Sequence, residues 1–275
     1  MIKVNDNEFT IEYFPDGTKR LRADRSDREV EITWKYQDDA ELFSVIALAR
    51  TYMEKGCEVS LKMPYIPNAR MDRVKSDEEV FTLKVFCELI NQTGFEKVTV
   101  LDAHSNVSLA LINKVCQMNI AKVIRKCALN KLPEDIILYF PDEGSQKRYA
   151  DLFPEYKYVY GIKKRDWATG KIMGLDVIDN GIDLKGKIVI MIDDIIAYGG
   201  SLYYSALRLK ELGVEKIFAY ATHTENSILH EEKGKLKTLL DDRTVEKLFT
   251  TDSLFTGENE NIENNEEIDL SSEFG

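Results

Sequence analysis

Cysteine is scarce in this chain, and its spacing carries no motif. Cys57, Cys87, Cys116 and Cys127 stand far apart, with no CxxC pair. That excludes a dithiol redox motif and a zinc ribbon, and it fits free thiols in a reducing cytosol. No apolar run approaches the roughly 20 residues of a membrane span, and the opening MIKVNDNEFT holds no apolar signal core. Basic excess is also missing. With 37 Lys and Arg against 48 Asp and Glu the net charge is −11, which argues against duplex nucleic acid and anionic membranes as partners. An aromatic share of 10% is too high for a disordered chain. The expectation is a cytoplasmic protein whose 275 residues suit two domains, each large enough to fold without staples.

The acidity is uneven. Residues 257–275 hold seven acidic residues and no basic one, which leaves −4 for the other 256. This stretch reads as a flexible, solvated acidic tail. Upstream, short apolar runs alternate with helical patterns. Strands are expected at residues 59–63, 98–101, 136–140, 158–162, 188–192 and 217–221, several of them apolar on both faces as buried parallel strands are. Residues 79–91 place Val80, Leu83, Phe86, Cys87 and Ile90 on one helical stripe. Residues 201–212 do the same with Leu202, Ala206, Leu209 and Leu212, and Gly213 ends that helix. This is the order of an α/β fold. A break falls near residues 118–135, giving domains at 1–125 and 126–256, with the tail at 257–275. Residues 14–35 read as a turn, FPDG, followed by a β-ribbon.

The run Ile188 to Ser201, IVIMIDDIIAYGGS, carries the chemistry. A buried strand leads into Asp193 and Asp194, then a short loop with Gly199 and Gly200, then a helix that opens with Ser201 as N-cap. Glycines allow backbone N–H groups to approach phosphate oxygens, and the helix N-terminus adds its dipole and free donors. Carboxylates at the carboxyl end of a strand can accept from a ribose diol or reach a metal bound to it. An ordinary capped βα turn explains the glycines and the serine, but not two adjacent carboxylates after five apolar residues.

This run resembles the ribose-phosphate loop of the phosphoribosyltransferase fold. Further segments narrow the resemblance to the ribose-phosphate pyrophosphokinases. Residues 64–73 (PYIPNARMDR) look like that family's PYxxxARQDR segment, and 98–105 (VTVLDAHS) like its strand ending in DLHS. Residues 140–144 (FPDEG) resemble SPDxG, Lys163-Lys164-Arg165 the mobile KxR loop, 14–17 the FxDGE turn, and 218–223 (FAYATH) a late strand end. Each match is weak alone, but six in family order are specific. The resemblance implies two phosphoribosyltransferase-like domains, each a largely parallel sheet flanked by helices, plus a β-ribbon. It implies Mg2+ as cofactor, with ATP and a ribosyl 5-phosphate as substrates, and a homo-oligomer of at least two chains. By resemblance, His104, Lys163 and Arg165 are catalytic, and Lys164 leaves two candidates for the active lysine. His104 and Asp142 hold the metal. Phe14, Asp16, Arg70 and Asp72 bind ATP, with Phe14 and Asp16 reaching a neighbouring subunit's site. Asp193, Asp194, Tyr198, Gly199, Gly200 and Ser201 bind the ribose phosphate. Asp102, two positions before His104, is expected on the same face of the strand.

The chain also departs from the family pattern. The family loop reads DDxxDTGGT, whereas Ala197 and Tyr198 stand here for the third aspartate and the threonine. Thr18 replaces the FxDGE glutamate, Met71 replaces a glutamine, the segment before FPDG has 13 residues, and the acidic stretch takes the place of the last helix. The altered loop rim leaves two acceptors open: ribose 5-phosphate, and a ribose 5-phosphate carrying a further group, of which ADP-ribose is the natural example. Two rival classes share part of these residues. A phosphoribosyltransferase needs the Asp193–Ser201 loop but not FPDG, ARMDR or DAHS. A non-catalytic nucleotide-binding homologue does not need to retain His104, Asp142, Lys163 and Arg165.

Overall fold

Strands that are apolar on both faces can only be satisfied inside a sheet covered on both sides, and the chain builds two such sheets. The computed structural model describes residues 1–24, 28–165 and 172–265, with the backbone alone for 163–165 and 172–174. The chain divides into two compact units, the first spanning Met1–Asn119 and the second beginning at Ile120. Among the described residues no helix is long and apolar enough to cross a membrane.

The first unit runs β1 (Ile2–Val4), β2 (Asn7–Glu8), β3 (Glu12–Tyr13), β4 (Lys19–Arg20), β5 (Glu29–Trp34), α1 (Ala40–Glu54), β6 (Glu58–Lys62), α2 (Thr82–Thr93), β7 (Val98–Val100), α3 (Asn106–Leu111) and β8 (Val115–Gln117). Its sheet has the order β2-β1-β5-β6-β7-β8. It is parallel from β5 to β8 and antiparallel at β1. The ribbon expected across residues 14–35 is shorter. Strands β3 and β4 pair around the FPDG turn, while β5 joins the main sheet because Val30, Ile32 and Trp34 are buried. Helix α2 starts at Thr82, later than its apolar stripe suggests, and Val80 is 65% exposed ahead of it. Gly94 ends α2 in the left-handed conformation, with φ of 90°.

The second unit runs α4 (Ile120–Cys127), β9 (Ile137–Phe140), α5 (Glu143–Tyr149), β10 (Tyr158–Arg165), β11 (Ile172–Ile178), β12 (Ile188–Ile196), α6 (Gly200–Glu211), β13 (Lys216–Thr224), α7 (Lys235–Asp241), β14 (Lys247–Thr251) and β15 (Ile262–Asn265). The sheet order is β11-β10-β9-β12-β13-β14-β15. Only the β10–β11 hairpin is antiparallel. From β9 the chain first moves outward to β10, and β12 then returns to the other side of β9. That reversal is a topological switch point, where open α/β sheets leave a crevice at the carboxyl ends of their strands. Leu202, Ala206 and Leu209 of α6 and Leu236 and Leu240 of α7 are fully buried in this unit's core with Met191 and Ala219.

The flexible-tail reading of residues 257–275 is corrected for its first half. Residues 262–265 form β15, which lies parallel to β14 with Leu248 opposite Ile262. Ile262 is buried, and Asn261 donates from its buried amide to the Leu240 carbonyl at 3.1 Å. The acidic character does not prevent this, because Glu263 has two cationic partners. Lys131 Nζ lies 2.6 Å from Glu263 Oε1 and 2.7 Å from Asn265 Oδ1, and Lys247 Nζ lies 3.0 Å from Glu263 Oε2. Both ammonium groups also sit over the Phe249 ring, at 5.7 and 6.0 Å. The rest of the stretch, 266–275, lies outside the described residues.

Partial burial raises the Glu263 pKa, but hydrogen bonds and charge from Lys131 and Lys247 outweigh it and leave the carboxyl below its ordinary value of 4.5. A depressed carboxyl stabilises the fold above the unfolded value and loses that contribution as pH falls through the folded one. Glu263→Gln is therefore expected to destabilise the protein by about 1 kcal/mol at pH 7, with the difference from wild type lost at acid pH, as pH falls below the ordinary value of 4.5 and through the folded one. Chemical denaturation at the two pH values checks this. Equal stability at pH 7 would show that the lysines do not hold β15.

Candidate active site

The residues Val189, Ile190, Met191 and Ile192 of β12 are fully buried. A slip towards the amino end would draw a carboxylate into this buried region, so the strand holds Asp193 and Asp194 near its carboxyl end. Strand β9 lies directly beside it, with Met191 opposite Tyr139. Past the end of β9, Asp142 caps α5 by accepting from Ser145 N at 3.1 Å. The Ser145 hydroxyl lies 3.0 Å from Asp193 Oδ1 and 3.3 Å from Asp142 Oδ1. One residue of α5 thus joins the two strand ends across the switch point. Asp194 is 7% exposed and accepts from Arg148 Nη1 at 3.1 Å. Asp193 also accepts from the Asp194 amide at 3.1 Å.

These surroundings perturb Asp193. Loss of solvent, followed by the charges of Asp194 and Asp142, pushes its carboxyl well above the ordinary range, and the hydrogen bond from Ser145 offsets only part of this. Desolvation and like charges both disfavour the ionised form. Three carboxylates thus gather at two neighbouring strand ends, with one serine and one arginine between them.

The loop after β12 is shaped by close packing. Gly199 is the N-cap of α6 and adopts the left-handed conformation, with φ of 74°. A Cβ at this position would collide with the Leu236 side chain at the start of α7. Ser201 is accordingly not the cap that the sequence suggested. It is the second residue of α6, no side chain caps the first turn, and the Ser201 hydroxyl is buried with no partner among the described residues. Buried hydroxyls without partners cost free energy unless a ligand supplies one. The free N–H groups of the first helical turn point the same way. A cavity of about 510 Å3 opens here, lined by Asp193, Tyr198, Gly199, Gly200 and Ser201 together with Glu232, Lys233 and Lys235.

The remaining expected site residues belong to separate loops of the first unit or to the β10 hairpin. Phe14 and Asp16 share the FPDG turn, which is closed by hydrogen bonds from Phe14 N to the Thr18 carbonyl and from Gly17 N to the Phe14 carbonyl. The Thr18 hydroxyl and amide donate to Asp16 Oδ1 at 2.7 and 2.9 Å and hold its carboxyl below the ordinary value. The residue standing in place of the family glutamate therefore orders the turn locally. Phe14 is 48% exposed, with the Arg20 guanidinium 5.9 Å from its ring centroid. Buried Ile66 and Ala69 anchor the loop that carries Arg70 and Asp72. Arg70 is exposed, and Arg73 Nε pairs with Asp72 at 3.7 Å. Asp102 and His104 lie beyond the end of β7. Asp102 is buried with a positive φ of 43°, which breaks the strand alternation, so the expectation of one shared strand face does not hold. Lys163, Lys164 and Arg165 lie on β10 opposite Leu175, Gly174 and Ile172, with a register shift before Arg165. Their side chains lie outside the described residues.

Ser145 and Arg148 were not singled out in the sequence. The spacing D-x-x-S from Asp142 to Ser145 is a cap pattern, and it was the available signal. Lys233 and Lys235 have no motif at all. His223, at the end of FAYATH, is buried with Nδ1 2.8 Å from the Ser253 hydroxyl, a structural placement.

No family model matches the chain. It is 30% identical over 224 residues to the ribose-phosphate pyrophosphokinase of Thermococcus kodakarensis, which covers 78% of this chain and 77% of the relative. It is 28% identical over 219 residues to the ribose-phosphate pyrophosphokinase of Saccharolobus solfataricus, covering 76% and 74%. Among solved structures, a phosphoribosylpyrophosphate synthetase from Mycobacterium smegmatis superimposes with a TM-score of 0.73 at 19% identity, over 94% of this chain and 86% of that one, and so shares the fold. The relatives align across most of both chains, and both units and their motifs fall within one known architecture: the chain belongs to the ribose-phosphate pyrophosphokinase family.

Proposed function

We infer that this protein transfers the β,γ-diphosphoryl group of ATP to the anomeric hydroxyl of a ribosyl 5-phosphate, releasing AMP, in the cytoplasm and with Mg2+ as cofactor. The observation that carries this reading is the adjacency of the Asp142–Asp193–Asp194 cluster to the Gly199–Ser201 phosphate cradle. One half suits a cation and ribose hydroxyls, the other a terminal phosphate. The family relationship supplies ATP and ribose 5-phosphate as the substrate classes.

The donor set fits magnesium. Carboxylate oxygens are its preferred ligands, and it binds through one or two of them while keeping waters and substrate phosphates. Among the described residues no group of three His, Cys, Asp or Glu side chains is arranged to enclose an ion, so the phosphates would complete the shell. Asp142 and His104 are each proposed as metal ligands. A bound ion supplies positive charge against the negative charge that builds up on the transferring diphosphate. In this scheme Asp193 and Asp194 orient the ribose diol, with Arg148 holding Asp194 in place. The α6 amides and Ser201 hold the 5-phosphate. Arg70 and Asp72 position ATP phosphates, and Lys163 or Lys164 with Arg165 closes over the diphosphate. Phe14 and Asp16 take adenine in an assembly of at least two chains. The acceptor is ribose 5-phosphate or an ester of it such as ADP-ribose.

Incubation with ATP, Mg2+ and each acceptor, followed by chromatography of AMP, tests the reaction. AMP is expected with at least one acceptor, and His104→Ala is expected to lower the rate about 100-fold or more. Absence of AMP with every acceptor would overturn the reading.

Asp193 yields a second test. Its raised folded pKa means that the fold prefers the protonated form, so stability is full below the unfolded value near 3.8 and is lost as pH rises towards the folded one. Without cation or nucleotide, Asp193→Asn should therefore melt above wild type at pH 7, with the gap closing at acid pH, while its activity is lost. A gain of about 1 kcal/mol corresponds to roughly 2–4 °C. An equal or lower midpoint at pH 7 would show that the buried charge is already compensated.

A further inference from the structure

Lys233 and Lys235 face the cavity of the Gly199–Gly200 loop from a segment to which no motif assigns a role. Their placement is specified by backbone packing. Gly234 lies between them and donates from N–H to the His230 carbonyl at 2.8 Å, and a Cβ there would collide with the Ile228 and His230 carbonyls. Leu236 N bonds the Tyr198 carbonyl at 3.4 Å, so this turn is fastened to the loop that it faces. Lys235 Nζ donates to Tyr204 OH at 2.9 Å and lies 4.8 Å from that ring's centroid. Lys233 Nζ lies 5.9 Å from the Tyr198 ring. Among the described residues neither ammonium group has a carboxylate within salt-bridge distance. Helix stability does not account for Lys235 either, since it opens α7, whose first turn contains no acidic residue, and a lysine there opposes the helix dipole.

The cradle at α6 can satisfy one phosphate with its amides and the orphaned Ser201 hydroxyl. Two more cations on the same wall exceed what a single phosphate requires, even with Glu232 beside them. The volume, about 510 Å3, falls within the roughly 300–1,000 Å3 of pockets for drug-sized ligands. We propose that Lys233 and Lys235 form a subsite for a second phosphoryl group, so that the acceptor is a 5-diphosphate ester of ribose rather than the plain monophosphate. This rests on the functional reading above and specifies its acceptor class. In this arrangement the α6 amides and Ser201 hold the first phosphoryl group, Lys233 and Lys235 the second, and Tyr198 flanks whatever the ester carries beyond it.

Calorimetric titration without ATP provides a readout separate from turnover. The ligands are ribose 5-phosphate, ribose 5-diphosphate and ADP-ribose. Wild type is expected to bind both diphosphate esters at least ten-fold more tightly than the monophosphate, about ten-fold being the weight of one charge-assisted hydrogen bond. Lys233→Ala/Lys235→Ala should collapse that preference towards one, and Lys235→Arg should keep it, with thermal melting confirming that each variant folds. Equal affinity of wild type for mono- and diphosphate overturns the proposal. So does a preference that survives the double substitution, or a double variant whose defect lies in the KM for ATP instead. The two readings fail separately. AMP formation from ribose 5-phosphate without any diphosphate preference would sink the subsite and leave the reaction standing. A lysine-dependent preference without AMP formation would do the reverse.

Discussion

Asp142 and Asp193 end neighbouring strands and carry charges of the same sign, and both turn to Ser145 for a donor. The second unit's site depends on that shared contact. Without it the two strand ends would bring carboxylates together in a poorly solvated crevice, where like charges are costly. The backbone amide of Ser145 serves Asp142 as a helix cap, and its hydroxyl serves Asp193. The first turn of α5 is therefore both a structural element and a spacer for the acidic cluster. Arg148, one helical turn further on, neutralises Asp194. Asp193, the member of the cluster that lines the cavity, has among the described residues only the Ser145 hydroxyl and the Asp194 amide to offset its burial and the neighbouring charges.

A second constraint acts on the opposite wall. Gly199 is needed twice, for its left-handed backbone and for the close approach of Leu236. That approach draws the start of α7 against the loop after β12, and Gly234 turns the preceding residues back towards it. Changes at the loop rim are therefore coupled to changes in the 230–236 turn. The two departures from the family loop, Ala197 and Tyr198, are best understood with the turn that packs on them. With alanine rather than a carboxylate at 197 the wall carries less negative charge opposite the lysines, and Tyr198 offers its ring to both Lys233 and His230, the latter at 6.0 Å.

Much of the fold was legible because burial on both faces leaves a plain trace. Each strand expected from an uninterrupted apolar run is present, and the Gly-terminated helix stripes became α2 and α6. The acidic pair of β12 was legible for the same reason, since two carboxylates after a buried run have no structural purpose of their own. The failures share a different cause. Ser201 looked like a cap because the sequence does not reveal that Gly199 already occupies that position with a left-handed φ. Asp102 and His104 looked like alternating strand positions because nothing local announces the positive φ of Asp102. Ser145 acquires its importance only from a strand almost fifty residues away.

The acidic end illustrates the limit most clearly. A run of like charges reads as solvated and mobile because self-repulsion opposes compaction. That argument counts only neighbours in sequence. Glu263 is joined by Lys131, more than a hundred residues earlier, and by Lys247 on the adjacent strand, while Ile262 and Asn261 are buried beside it. Once two cations from the folded sheet are included, the local charge around Glu263 is no longer negative, and adding a strand to β14 satisfies backbone groups that an exposed edge would leave open. The same reasoning applies in reverse to the cavity. There, lysines that look like ordinary surface charge in the sequence are set beside a phosphate cradle, and among the described residues no carboxylate lies within salt-bridge distance of them. In both places the meaning of a charge is decided by the partner that the fold supplies.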